Sequence, residues 1–310
     1  MQTLQDTKAV HAAQRIEVVS RITNSHLPSD FDVLPFFQTP TPPAAHFTTE
    51  FGALFDMDCM KLMPTIKTGV IDTVFADPPF NIGKKYGNGT NDNRDETEYL
   101  DWCRAWLAEC VRITKPGGAL FVYNLPKWNM PLGAHLMEQG MEFRHWIAIE
   151  ISSCLPIPKR LHPSHYSLLY YTKGKPKTFR RIRTPIALCR HCGREVKDYG
   201  GHRNAMNPYG VTLKDVWTDI PPVRHWKFKS KNRGANALST KLLDRVVEMT
   251  TAPGDLVFDP FGGSGTTYAV CENKHRHWIG AEIDYADDIV DRLTDPCILP
   301  HHNTDYVEDK

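Results

Sequence analysis

Apolar and polar positions alternate in different rhythms along the chain. A helix is expected over 4–22, followed by a proline-rich stretch over 28–43 that should run extended, so residues 1–46 form an N-terminal extension that packs on the body or stays loose. From about Ala53 the pattern becomes alternating strand and helix. A β-branched apolar run over 70–76 ends in Asp77-Pro78-Pro79-Phe80. Over 95–114 the residues Leu100, Cys103, Leu107, Cys110 and Val111 share one helical face, and Asp95 with Glu98 makes a start like a capping box. Lys115-Pro116-Gly117-Gly118 stops that helix and turns into a strand over 119–123, and further strands are expected over 146–151 and 166–171. The rhythm fades over 172–234, which is too long for an ordinary connection. It returns with Ser239 as an N-cap and Leu242, Leu243, Val246 and Val247 on one helix face, ended by Ala252-Pro253-Gly254. A strand over 256–258, a glycine-rich turn, a short helix and a strand over 277–283 follow. This alternation predicts an α/β fold: a doubly wound, mostly parallel sheet with helices on both faces. No internal repeat is found.

Composition narrows the class. The chain has 310 residues, of which 41% are hydrophobic and 24% charged, which is ordinary globular material and excludes disorder, collagen and coiled coil. No run of about 18 apolar residues occurs and the first residues are polar, so a cytoplasmic, soluble protein without a membrane partner is expected. The eight cysteines are too dilute for a disulfide scaffold, and only Cys189 and Cys192 lie close together.

Net charge is +1, but the charge is segregated. Residues 173–194 carry eight Lys/Arg and no acid, and residues 224–233 carry five bases (Arg224, Lys227, Lys229, Lys231, Arg233) and no acid. Residues 282–310 carry nine acids and two bases. One such basic run reads as a solvated face; two inside one stretch, interleaved with Phe179, Tyr199, Tyr209, Trp217, Trp226 and Phe228, favour contact with a polyanion.

Two motifs carry chemistry. Gly262, Gly263 and Gly265 lie between a strand and a helix, where a backbone can approach a ligand and a helix N-terminus exposes free N–H groups. This is neither a phosphate-binding Gly-Lys-Ser/Thr loop nor a GxGxxG turn. With Asp259 before it and Glu282 ending the next strand, it suits a nucleoside cofactor whose ribose hydroxyls meet a carboxylate. A tight turn used only for packing is the plainer reading. In Asp77-Pro78-Pro79-Phe80, two prolines remove two N–H donors and stiffen the backbone, so a carboxylate and rigid carbonyls make an acceptor-only site. Such a site suits an exocyclic amine, with Phe80 stacking on the attached ring. Alone, the motif reads first as an edge turn with a helix-capping Asp; paired with the glycine-rich turn in one sheet, the amine site becomes the favoured reading.

Together, from about Asp58 to Asp284, these features resemble the β-group amino-directed DNA methyltransferases, which act on adenine N6 or cytosine N4 and in which the catalytic motif precedes the cofactor motif. Asp77-Pro78-Pro79-Phe80 resembles the family's D/S-P-P-Y/F, and residues 259–267 resemble its D-P-F-x-G-S/T-G-T; Lys115-Pro116-Gly117-Gly118 and Ile279-Gly280-Ala281-Glu282 are also similar. The resemblance implies a circularly permuted Rossmann-like fold and S-adenosyl-L-methionine as cofactor. It divides the chain into an extension (1–46), a catalytic half (47–171), a basic target-recognition insert (172–234), a cofactor-binding half (235–295) and an acidic tail (296–310). It implies catalytic roles for Asp77, Pro78, Pro79 and Phe80, and cofactor contacts from Asp58, Asp259, Phe261, Gly263, Ser264, Gly265, Thr266 and Glu282. Contacts to double-stranded DNA are expected from Lys173, Lys175, Lys177, Arg180, Arg181, Arg183, Arg224, Lys227 and Lys229. Asp77 favours adenine N6; cytosine N4, an RNA adenine, or a catalytically silent nucleic-acid-binding protein are the alternatives. A homodimer and a cognate restriction endonuclease are further partners such a family raises. The family's H-P-T-x-K-P stretch is replaced by Gly234-Ala235-Asn236-Ala237-Leu238-Ser239, which removes one expected set of cofactor contacts. Cys189-x-x-Cys192-Gly193 resembles one zinc knuckle; His202, His225 or a carboxylate would have to complete a structural zinc site, and two metal-free thiols are the other reading.

Overall fold

The computed structural model describes residues 30–83, 92–151, 158–159, 161–186, 188–189, 191–194, 201, 203–221, 237–295 and 305–308. In chain order the elements are β1 (Phe47–Thr48), β2 (Gly52–Asp56), α1 (Cys59–Leu62), β3 (Ile71–Ala76), α2 (Glu96–Ile113), β4 (Thr114–Asn124), α3 (Pro126–Glu138), β5 (Glu142–Glu150), β6 (His165–Thr172) and β7 (Arg181–Thr184). They continue with β8 (Val211–Thr212), β9 (Val216–Trp217), α4 (Thr240–Thr250), β10 (Leu256–Asp259), α5 (Thr266–Asn273), β11 (His277–Glu282), α6 (Ala286–Thr294) and β12 (Tyr306–Glu308).

Among the described residues the main sheet runs β1-β2-β11-β10-β3-β4-β6-β5-β9. The central strands β2, β11, β10, β3 and β4 are mutually parallel, and β6 is antiparallel to both its neighbours. All residues of β3 and β10 are buried, as expected of central parallel strands covered on both faces. One face packs on α1 to α3 through Leu62, Tyr99, Trp106, Leu107, Trp128 and Leu132. The other packs on α4 to α6 through Leu242, Val246, Tyr268 and Ile289. The expected doubly wound, permuted sheet is therefore observed.

Register decides where the motifs meet. Phe258 of β10 stands beside Val74 of β3, so Asp259 and Asp77 emerge from neighbouring strand ends. Glu282 of β11 stands beside Asp56 of β2, two residues before Asp58. Asp58, Asp77, Asp259 and Glu282 all lie at the carboxyl edge of the parallel strands, where open sheets bind ligands.

Three features depart from expectation. Helix α3 is not among the elements the pattern predicts, and it contains Pro126, Pro131 and Gly133. It forms because Pro126 sits at its first turn and Trp128, Leu132 and Leu136 bury one face, while Gly133 lets Tyr171 donate to its carbonyl at 3.0 Å. The stretch 172–234 contributes β7, β8 and β9, of which β9 extends the main sheet beside β5. Within the expected acidic tail, Tyr306–Glu308 form β12, which joins β7 and β8 in a second sheet. That sheet is fixed by Arg183 donating to Glu308 at 2.5 Å and by Tyr306 stacked on Tyr209 at 3.8 Å. Beside it, the fully buried Arg245 of α4 holds Asp219 through two hydrogen bonds and Asp305 through a third at 2.7 Å. The stretch 30–46 packs on the body through Phe37, which is buried and bridged to Ile66; the expected helix over 4–22 lies outside the described residues.

Candidate active site

The loop after β3 is held from outside. Pro78 and Pro79 have no N–H to offer a neighbour, and the carbonyls of Pro79 and Phe80 are instead gripped by side chains: the Tyr99 hydroxyl donates to Pro79 O at 2.6 Å and the Trp128 indole to Phe80 O at 2.7 Å. Among the described residues no hydrogen bond reaches the Pro78 carbonyl. Asp77 is half-buried. Phe80 packs among aromatic rings, 5.9 Å from Tyr123 and 5.5 Å from Tyr166, which are themselves 5.3 Å apart. Burial pushes the Tyr123 phenol well up, and the charge of Asp77 nearby pushes it further, so Tyr123 is a neutral neighbour of the carboxylate. Sequence reasoning missed Tyr99, Tyr123, Trp128 and Tyr166. Tyr123 alone carried a signal, ending the next strand at the same edge.

The glycine-rich turn separates into two kinds of glycine. A Cβ on Gly262 would lie 2.6 Å from the Tyr268 hydroxyl, and one on Gly265 2.9 Å from Ile289, so these two serve packing. Gly263 has φ +52°, and a Cβ there would meet nothing nearer than 3.8 Å; its outer side is open. The Gly263 N–H donates to Glu282 at 2.6 Å, and the N–H groups of Ile283 and Asp284 bond the other carboxylate oxygen. Burial raises the Glu282 carboxyl, against the pull of those three N–H groups. An open glycine backbone beside a carboxylate at a strand end is a cradle of the kind a nucleoside needs, so the residues fit S-adenosyl-L-methionine.

The other expected cofactor residues are placed differently. Asp259 is buried and turns inward, accepting from Phe261 N at 2.9 Å and from the Thr267 hydroxyl at 2.5 Å. Burial, with the charge of Glu282 adding to it, outweighs these bonds and pushes the Asp259 carboxyl up to about 7. Ser264 and Thr266 are occupied by the buried Arg292, which donates to Ser264 O at 2.9 Å and to the Thr266 hydroxyl at 2.9 Å. Phe261 packs edge-on against Trp106 at 5.2 Å. Asp259, Ser264 and Thr266 are thus turn builders by their side-chain contacts. Asp58 is exposed and caps α1 through Met60 N at 2.8 Å.

Several described bases of the stretch 172–234 have partners within the fold. Lys173 donates to the carbonyls of Val111 and Thr114, Lys177 pairs with Asp72 and Asp255 at 3.2 Å, and Arg180 pairs with Glu248 at 3.1 Å. Backbone bonds from Lys173 and Lys177 to Gly117 and Gly118, and from Arg180 to Met249, put them at the amino edge of the sheet, with the exposed Lys175 between them. That edge is about 20 Å from Asp77, at ~3.3 Å per strand residue. Arg181 and Arg183 both pair with Glu308. Lys173, Lys177, Arg180, Arg181 and Arg183 are therefore engaged by carbonyls and acids of the fold, while Lys175 is exposed. Arg224, Lys227 and Lys229 lie outside the described residues, but the flanking positions, Ile220 after β9 and Ser239 before α4, are at the carboxyl edge. Cys189 and Cys192 sit on a tight turn in which Gly193, at φ +65°, donates to Cys189 O at 2.9 Å. Backbone N–H groups of Cys192 and His191 lower the Cys189 thiol. Among the described residues no group of three or more His, Cys, Asp or Glu could hold a metal, and His202 and His225 lie outside them. Nor is any described helix long and apolar enough to cross a membrane.

Comparison with known proteins gives this geometry a family. Residues 71–290 match the DNA methylase family of N6-adenine and N4-cytosine enzymes. The chain is 53% identical over 249 residues to the Type II methyltransferase M.BamHI of Bacillus amyloliquefaciens, covering 80% of this chain and 58% of that protein. It is 30% identical over 234 residues to the Type II methyltransferase M.HpaI of Haemophilus parainfluenzae, covering 73% of this chain and 68% of that one. The solved PvuII DNA methyltransferase, which is cytosine-N4-specific, shares the fold at TM-score 0.59 with 20% identity, over 80% of this chain and 88% of its own. The match across both motifs, in the order found here, is decisive: the chain belongs to the β-group, amino-directed DNA methylase family.

Proposed function

We propose that this chain is a site-specific methyltransferase that modifies the exocyclic amine of a base in double-stranded DNA, with adenine N6 as the target favoured by Asp77. The observation that carries the reading is the pairing of an acceptor-only loop, Asp77-Pro78, with an open glycine turn, Gly263 beside Glu282, on neighbouring strand ends. Bound S-adenosyl-L-methionine supplies an electrophilic sulfonium methyl. Glu282 and Gly263 would hold its nucleoside. The Asp77 carboxylate and the Pro78 carbonyl would accept hydrogen bonds from the two amine N–H groups and orient the nitrogen lone pair toward the methyl; the N–C bond would form as the S–C bond breaks, leaving the thioether product, and one amine proton would then pass to solvent. Those bonds strengthen as positive charge grows on nitrogen, so they favour the transition state over the ground state. An amine inside a duplex cannot reach this recess without leaving the stack, and Phe80, with Tyr123 and Tyr166 beside it, offers ring surface to the extruded base. The recognition insert would hold the duplex at the carboxyl edge.

Incubating the protein with duplex DNA and methyl-labelled cofactor, then digesting to nucleosides, tests this. Labelled N6-methyladenine is expected, and Asp77→Ala should abolish it with cofactor affinity retained. The carboxylate–carbonyl pair also accommodates cytosine N4, and labelled N4-methylcytosine would move the target to that base. Label on ring carbon, or none on DNA, would overturn the assignment.

A further inference from the structure

We infer that Tyr99 and Trp128 are positioning residues for the catalytic loop, holding its backbone so that the Asp77 carboxylate and the Pro78 carbonyl converge on one amine. This rests on the methyl-transfer reading above.

A loop with two consecutive prolines cannot hold itself through its own N–H groups, and its carbonyls must be satisfied from elsewhere. Tyr99 reaches in from the first turn of α2 and Trp128 from the first turn of α3, with their rings 4.7 Å apart. The direction of the bonds is fixed. Leu125 N–H can only donate, and it bonds the Asn124 side-chain oxygen at 2.7 Å, so the Asn124 amide nitrogen must face Tyr99, 2.9 Å away. That nitrogen can also only donate, which leaves the single Tyr99 proton for Pro79 O. Asn124 is itself pinned, its backbone carbonyl accepting from Ser167 at 2.9 Å. Burial raises the Tyr99 phenol, so the proton stays on it. The result is a one-way chain from Leu125 through Asn124 and Tyr99 to Pro79, with Trp128 fixing the next carbonyl. The plane of each peptide is rigid, so fixing the carbonyls of Pro79 and Phe80 constrains the direction of Pro78 O just before them.

Two variants break the chain without emptying the core. Tyr99→Phe keeps the ring and removes the proton. Asn124→Asp keeps the bond from Leu125 but sets a second acceptor against Tyr99, drawing its proton away from Pro79. Single-turnover methyl transfer, affinity for cofactor and for duplex, and unfolding midpoint should be measured for both, with Asp77→Ala alongside. Both variants should slow transfer ~10–100-fold, the range for a small misplacement of a reacting group, while both affinities stay within about twofold. A Tyr99→Phe enzyme at wild-type rate, with Asp77→Ala inactive, would overturn the positioning role. So would losses of rate, both affinities and unfolding midpoint in step, which would mark Tyr99 as a general packing residue. Activity retained in Asp77→Ala would instead remove the methyl-transfer reading on which the inference stands.

Discussion

Replacing Asp259 with Asn should make the cofactor-free protein more stable at alkaline pH and leave it nearly unchanged in mild acid. The carboxyl sits near 3.8 when unfolded and at about 7 when folded, because it is fully enclosed below the glycine turn. Between those values the folded state holds more protons than the unfolded one, so stability falls as pH rises through that window. At ~1.4 kcal/mol per tenfold change in proton affinity, the full cost above pH 7 is about 4 kcal/mol. Glu282 also has a raised carboxyl and contributes to the Asp259 value, so the two acids share part of that cost. An Asn amide keeps both contacts: its oxygen accepts from Phe261 N, and its nitrogen donates to the Thr267 hydroxyl, which can reverse its role. Urea unfolding of wild type and Asp259→Asn at pH 4, 5, 6, 7 and 8 should therefore give curves that nearly coincide at pH 4, part by roughly 1–2 kcal/mol at pH 5 and separate by ~2–4 kcal/mol at pH 8. A difference that does not vary with pH would refute the reasoning, because it would mean that the buried carboxyl does not titrate in this window.

Asp305→Ala leaves Arg245 buried with only Asp219 as partner and should cost ~2–4 kcal/mol in urea unfolding, since a buried cation loses half its compensation. Burial raises the Asp219 carboxyl, but bonds from Arg245 and Lys241 outweigh it and hold it at about 2, so this contribution should persist above pH 4 and fade as pH falls toward 2 in an acid titration. Gly280→Ala, whose new carbon would lie 2.3 Å from the Tyr268 ring, should destabilise by ~3 kcal/mol and displace the Tyr268 contact to Asp259 O, seen as weaker cofactor binding. Replacing Arg180, Arg181 and Arg183 with Gln should lower the unfolding midpoint and leave the slope of DNA affinity against salt unchanged; a slope reduced by roughly 0.9 per residue would restore them to the phosphate interface. For Cys189 and Cys192, a zinc ion that co-purifies and is lost in Cys192→Ser would establish the metal reading, and its absence from metal analysis would leave two thiols.

What the sequence conveyed was whatever local geometry imposes. A β-branched run ending in two prolines has few conformations, and three glycines between a strand and a helix have a reason that survives any tertiary context, so both motif turns were legible. The cofactor assignment at that turn was legible only to the level of the backbone. Ser264 and Thr266 are polar and well placed by position, yet Arg292, two dozen residues on, claims their oxygens, and nothing local announces that. The same holds for α3: Trp128, Leu132 and Leu136 bury against strands from either side of it in sequence, and this long-range gain overrides the internal Pro131.

The basic insert shows most clearly why charge along a sequence is a weak guide to charge in space. Lys177 and Arg180 have no acid near them in sequence, but the parallel sheet brings Asp72, Asp255 and Glu248 to the same edge. Those acids are buried or nearly so, and each would be costly without a cation. The stretch's bases thus share these carboxylates, at the edge away from the site, with Lys115, Lys274 and Arg276. The tie also runs the other way: Glu308 meets Arg181 and Arg183, while Asp305 and Asp219 meet Arg245. The stretch is therefore tied by ion pairs at one edge of the sheet and by β9 beside β5 at the other. Lys177, Arg180, Arg181 and Arg183, all from the first acid-free window, thus spend their charge on acids that lie far from them in sequence, and that pairing ties the stretch to the body of the fold.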